Sequence, residues 1–246
     1  MIDFFRTVIW FGYFFGYMLL HYDQLKKAQA ARQAGDLEEV RRLTDLHVDH
    51  WCRTLLKLAG VKVEVTGQEN IPQGPVVYVA NHRSYYDIPL VLTCLDRPNG
   101  ILAKAETRKI PLVNQWMDLL GCVYVDRGDV RASVKALGEA TAWVKAGNSF
   151  VIFPEGTRNK GAEGTTLEFK PGAFRVALKS GAPVVPVAIS HSRDIMENNH
   201  MLMHPAQVRV TILPPITLEG MDKEAQKQLP QQVREKIMEV LEEENG

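Results

Sequence analysis

After Gly60 the apolar and polar positions alternate between two periods. Seven short runs have strand texture: VKVEVTG, PVVYVANH, GILAKAE, CVYVDRG, SFVIFPEG, PVVPVAIS and QVRVTILPP. They are rich in Val, Ile and aromatic residues and carry period-two or continuous apolar character. Between them the period lengthens to that of a helix, over Asp87 to Leu95, Ile110 to Leu120, Asp129 to Ala146, Gly172 to Lys179 and Met221 to Glu244. Such alternation predicts an α/β fold, an αβα sandwich on a largely parallel sheet. The VKVEVTG and QVRVTILPP runs lack an evident crossover helix next to them, so the sheet is expected to be mixed.

The first 59 residues follow other rules. From Thr7 to Leu20 no residue is charged and aromatics are dense. The run falls short of the ~20 apolar residues of a bilayer-spanning helix. No small-residue cleavage site follows it, as one would after a signal peptide, and the chain continues as polar helix. Tyr and Trp favour the water–lipid boundary. The stretch is therefore expected to lie in, or dip into, one leaflet, with an ordinary buried helix as the alternative. A second helix is predicted from Asp36, a cap with Glu39 three places on, to Gly60, a natural stop. Its apolar stripe is Leu37, Val40, Leu43, Val48, Trp51, Leu55 and Leu58. His47 and His50 are expected on its outer surface. The chain thus divides into residues 1–59, a two-helix membrane-associating element, and residues 60–246, the α/β domain.

Composition narrows the field. Acidic and basic residues balance at 29 each, which argues against a nucleic-acid partner. Three scattered cysteines, Cys52, Cys94 and Cys122, suggest a reducing compartment, and no C-x-x-C pair suggests a metal. Neither a P-loop nor a G-x-G-x-x-G fingerprint is present, so no nucleotide phosphate is predicted through those loops.

Ligands of α/β sheets gather beyond the carboxyl ends of the strands. Four strand ends carry polar groups: NHRSYYD, with His82 and Asp87; AKAE, with Lys104; VDRGD, with Arg127; and FPEGTRN, with Glu155, Gly156, Thr157 and Arg158. An imidazole can take a hydroxyl proton near neutral pH, best when a carboxylate fixes its tautomer. On spacing alone Asp87 serves equally as a helix cap, and His82 as a loop histidine. No G-x-S-x-G elbow exists. A base without an enzyme nucleophile suggests direct attack by a substrate hydroxyl. The FPEGTR turn, with Gly156, exposed N–H groups and the Arg158 fork, suits an anion. A Glu155–Arg158 surface pair is the alternative.

Taken in order, NHRSYYD, AKAE…GCVYVDR, FPEGTR and VVPVAI resemble the four motifs of the glycerolipid acyltransferase family, nearest to its bacterial 1-acyl-glycerol-3-phosphate acyltransferases. The resemblance runs from about Gly60 to Ser190. It implies a membrane enzyme on the cytoplasmic face, held monotopically by its N-terminal helices. It implies His82 as general base, Asp87 as its orienting partner, and Lys104, Arg127 and Arg158 as phosphate ligands, with Glu155, Gly156 and Thr157 shaping the pocket. The substrates implied are a lysophosphatidate acceptor and an acyl-CoA or acyl-carrier-protein donor, with no metal or further cofactor.

Overall fold

The seven strand-like runs all become strands of one sheet in the computed structural model, which describes residues 1–126 and 128–245. These are β1 (Lys62–Thr66), β2 (Val77–Ala80), β3 (Gly100–Lys104), β4 (Val123–Val125), β5 (Phe150–Ile152), β6 (Val184–Ser190) and β7 (Gln207–Ile212). Their order across the sheet is β1-β7-β6-β2-β5-β3-β4. β6, β2, β5, β3 and β4 run mutually parallel. β7 meets β6 antiparallel and β1 lies parallel to β7, so the mixed part of the sheet is its β1/β7 edge. There the sequence has no crossover helix between neighbours, and an antiparallel junction does not require one.

The helices are α1 (Ile2–Leu20), α2 (Tyr22–Ala34), α3 (Leu37–Ala59), α4 (Asp87–Cys94), α5 (Val113–Leu119), α6 (Val130–Lys145), α7 (Arg175–Ser180) and α8 (Lys223–Asn245). Alternation along the central strands divides them into two layers. Tyr78 and Ala80 of β2, with Val185, Val187 and Ile189 of β6, join the core formed with α1 to α5. Val77 and Val79, with Val184 and Ala188, join the opposite core formed with α6, α7 and α8. Strands β2, β5 and β6 are buried throughout, as expected for strands covered on both faces.

Helix ends mostly follow the sequence signals. Asp36 accepts from Glu39 N (3.0 Å) and Gly60 closes α3 in the left-handed conformation. The capping box is only half made, because the Glu39 carboxylate binds Arg42 instead. α5 begins later than its periodicity suggests, since Leu112 sits at φ 64° just before it.

The polar continuation of the first helix is a separate helix, α2. The break falls at His21 (φ −105°, ψ 24°), whose Nδ1 lies 3.0 Å from Tyr17 O. His47 is not a surface residue: it is half-buried against α1, with Nδ1 3.1 Å from the Tyr17 hydroxyl. Trp10 pins α1 to α3, donating its Nε1–H to Leu55 O (3.0 Å). The N-terminal helices thus share a core with one face of the sheet. The other side of α1 stays uncovered: Phe4, Phe5, Val8, Ile9, Phe15 and Leu19 are all exposed. Among the described residues no helix is long and apolar enough to cross a membrane.

Candidate active site

The parallel strands β2, β5 and β6 release their chains on the same rim, and β2 lies between the other two. Asn81 extends this junction one residue beyond the strand. Its Nδ2 donates to Ile189 O (2.8 Å) and its Oδ1 accepts from Ile189 N (2.8 Å), an amide standing in for a ladder rung.

His82 follows, and its backbone is gripped on both sides. Its N–H donates to Glu155 Oε1 (2.6 Å) and its carbonyl accepts from Asn159 N (2.7 Å). The ring stacks on Phe153, with centroids 4.3 Å apart. Nδ1–H donates to Asp87 Oδ2 (2.7 Å). An ionised carboxylate can only accept, so this bond puts the proton on Nδ1 and leaves the Nε2 lone pair free. The ring keeps a partly exposed edge while the aspartate is fully buried.

Asp87 is the first residue of α4, yet its carboxylate turns back rather than capping that helix. Oδ2 also accepts from Arg83 N (2.6 Å) and Ser84 N (2.8 Å). Three donors converging on one oxygen hold the charge in place without solvent. Of the two readings that the spacing left open, the geometry gives the imidazole–carboxylate pair.

Glu155 departs from the expected pocket contact. It is buried, and its oxygens accept from backbone N–H groups of His82 and of Leu167 (2.8 Å). Burial raises its carboxyl above the usual range, against the lowering effect of those two N–H groups. It works as a strut between the His82 loop and the long loop after β5. Gly156 needs its φ of +71°, and a Cβ there would meet the end of Lys170. Thr157 is exposed.

Arg158 makes no pair with Glu155. Its guanidinium lies over the Tyr85 ring, 3.5 Å from the centroid, and Nη1 is 3.4 Å from Glu197 Oε1. Lys104 ends β3, two places from β2, so the strands alone separate them by about 10 Å. Lys104 is exposed and pairs with Glu106 (2.8 Å), with no bond to the His82 cluster among the described residues. Arg127 lies outside the described residues.

Two participants carry no sequence signal. Arg83 is buried and donates to the carbonyls of Gly161 (2.9 Å), Ala162 (2.9 Å) and Thr165 (3.1 Å), fastening the long loop. Glu197, in a short turn after β6, binds the His82 loop at Ser84 and Tyr85. Nothing in the run MENNH marks it in advance; only the approach of separate loops reveals it.

The assembly offers an imidazole oriented by a buried carboxylate, with no Ser or Cys side chain bonded to that ring among the described residues, and a cation tied to the same loop. The chain as a whole is similar to known proteins. The family model "Acyltransferase" matches residues 62–190, just over half the chain. The 1-acyl-sn-glycerol-3-phosphate acyltransferase of Borreliella burgdorferi is 33% identical over 188 residues, 76% of this chain and 74% of that protein. The Saccharomyces cerevisiae protein of the same name is 29% identical over 187 residues, 76% of this chain and 62% of its own length. The crystal structure of the 1-acyl-sn-glycerophosphate acyltransferase PlsC from Thermotoga maritima superposes with a TM-score of 0.82 at 30% identity, covering 99% of this chain and 98% of that one.

Proposed function

Because this chain belongs to the acyltransferase family and is an acyltransferase, we propose that it acylates the free sn-2 hydroxyl of 1-acyl-glycerol-3-phosphate. The donor is a fatty acyl thioester, acyl-CoA or acyl-carrier protein, and the product is phosphatidate for phospholipid synthesis. The observation that carries the chemistry is the 2.7 Å bond from His82 Nδ1 to the buried Asp87 carboxylate. It leaves Nε2 as the basic nitrogen.

Nε2 takes the proton of the acceptor hydroxyl as the oxygen attacks the thioester carbonyl carbon. The imidazolium so formed faces Asp87, which stabilises it. Collapse of the tetrahedral adduct breaks the C–S bond. The imidazolium returns its proton to the departing thiolate, leaving an ester and a free thiol. No covalent acyl-enzyme is needed.

Arg158 receives the acceptor phosphate in this reading, since its own loop is joined to the His82 loop. Lys104 adds a point charge farther along the rim, and Glu155 acts by holding the backbone of His82. The exposed face of α1 buries in one leaflet at the cytoplasmic side, without crossing. In support, Trp10 on the inner side of α1 packs against Tyr86, 5.8 Å between centroids, one residue from Asp87. A lipid acceptor leaving the bilayer along α1 would arrive beside the base.

The test is thiol release across a panel of acceptors: lysophosphatidate, glycerol-3-phosphate, lysophosphatidylcholine and water. Release should require lysophosphatidate and vanish in His82→Ala. Release in water as fast as with any acceptor would make the protein a hydrolase, and a preference for another acceptor would replace the substrate.

A further inference from the structure

We propose that Glu197 is a positioning residue that aims Arg158 at the acceptor phosphate. This rests on the phosphate reading of Arg158 given above. Glu197 lies beyond the family match, which ends at residue 190.

Its carboxylate gathers donors from two other loops. Oε2 accepts from Ser84 Oγ (2.8 Å) and Oε1 from Tyr85 N (2.8 Å), both in the loop after β2. Arg158 Nη1, in the loop after β5, is 3.4 Å from Oε1. Glu197 itself stands in the turn that follows β6. One side chain thus joins the loops after three adjacent strands, two residues along the chain from His82 at Ser84. Its side chain is only 9% exposed, so the charge is held by these partners and not by water.

The division of labour follows from the geometry. The 84–85 backbone and hydroxyl use the carboxylate at good distance; a neutral oxygen could satisfy them. What needs the charge is the guanidinium. Arg158 has five N–H donors, and among the described residues Glu197 takes its one hydrogen bond. Tyr85 supports the flat face. The remaining N–H groups stay available in a fixed plane, which suits bidentate capture of a phosphate. An Arg without this anchor would have to lose much of its side-chain freedom on binding, weakening capture about tenfold.

Glu197→Gln tests this cleanly, being close in shape and lacking the charge. The lysophosphatidate KM should rise about tenfold, with kcat within about threefold and the acyl-CoA KM unchanged. In an Arg158→Ala background the same change should add less than about twofold, because both residues act on one contact. An unchanged acceptor KM would overturn the proposal. So would a lowered one, which would make Glu197 a competing anion on Arg158. An equal penalty with and without Arg158, or a joint loss of kcat, both KM values and Tm, would reduce Glu197 to a structural tie. Should Glu197→Gln fail to fold, Glu197→Asp carries the test. It keeps the charge but cannot span both loops, so acceptor KM should rise while kcat holds. Arg158→Ala with a normal acceptor KM would remove the phosphate reading itself; a raised KM there beside a normal one in Glu197→Gln would remove only the role of Glu197.

Discussion

Asp87→Asn separates charge from geometry at the proposed base, because of how the carboxylate is used. The bonds from His82 Nδ1, Arg83 N and Ser84 N all end on Oδ2, while Oδ1 has no hydrogen-bond partner among the described residues. An asparagine can place its carbonyl oxygen where Oδ2 stands and keep all three bonds. Only the charge facing the imidazolium disappears. Two unit charges about 4 Å apart at an effective dielectric of about 20 attract by about 4 kcal/mol. If the imidazolium is fully formed in the transition state, losing that attraction slows turnover about 1,000-fold; half-formed, about 30-fold. The amide N–H groups, meanwhile, enter a buried place with no acceptor, at a cost of about 1–3 kcal/mol in stability. A Tm lowered by several degrees is therefore expected alongside, at about 2–4 °C per kcal/mol for a domain near this size. The assay is thiol release at saturating lysophosphatidate and acyl-CoA, with near-UV circular dichroism on the same preparation. A kcat within about threefold of wild type, on a folded protein, would refute a charge-stabilised imidazolium.

Glu155→Gln should destabilise the fold by about 2–4 kcal/mol in chemical denaturation, because an amide nitrogen must then face the N–H of His82 or Leu167; unchanged stability would dismiss the strut. Joint replacement of the exposed Phe5 and Ile9 by Ser should cut binding to anionic vesicles about 100-fold, at roughly 1–2 kcal/mol of lost burial each, without lowering Tm; unaltered co-sedimentation would move the membrane face elsewhere. Burial, then the neighbouring His21 and His50, hold the imidazole of His47 below its ordinary range. The unfolded chain therefore binds more protons here than the folded one, so stability should fall as pH drops below about 6.5, until pH passes the lowered value. Thermal melts between pH 7.5 and 5 should show a shallower fall for His47→Gln, and parallel curves would reject this account. Gly67→Ala should cost about 3 kcal/mol or prevent folding, since φ is +75° and a Cβ would stand 1.9 Å from Ile212 O; a soluble variant with native Tm would contradict that backbone.

The seven strands and the helices of the α/β part were legible because their patterns are local. Short continuous apolar runs such as VVYVA, rich in β-branched residues and bounded by turn residues, read as strands covered on both faces, and caps such as Asp36 and Gly60 act within a turn. His82 and Asp87 were legible as a candidate pair for a similar reason: they occupy one strand-to-helix turn. What could not be read was where a side chain spends its charge. Glu155 looked like a ligand contact, and its polar atoms go to the backbone of residues 82 and 167. His47 looked like a surface residue and meets Tyr17, thirty positions away.

By itself, then, the amino-acid order determined the strands, the helix stops, the apolar arm and a histidine–aspartate pair within one turn, since each depends on neighbours a few residues apart. Tertiary structure alone decided which way Asp87 turns, that Arg158 lies on Tyr85, and that Glu197 joins three loops. Those contacts exist because parallel strands far apart in the chain end on one rim, and chain order carries no measure of that convergence.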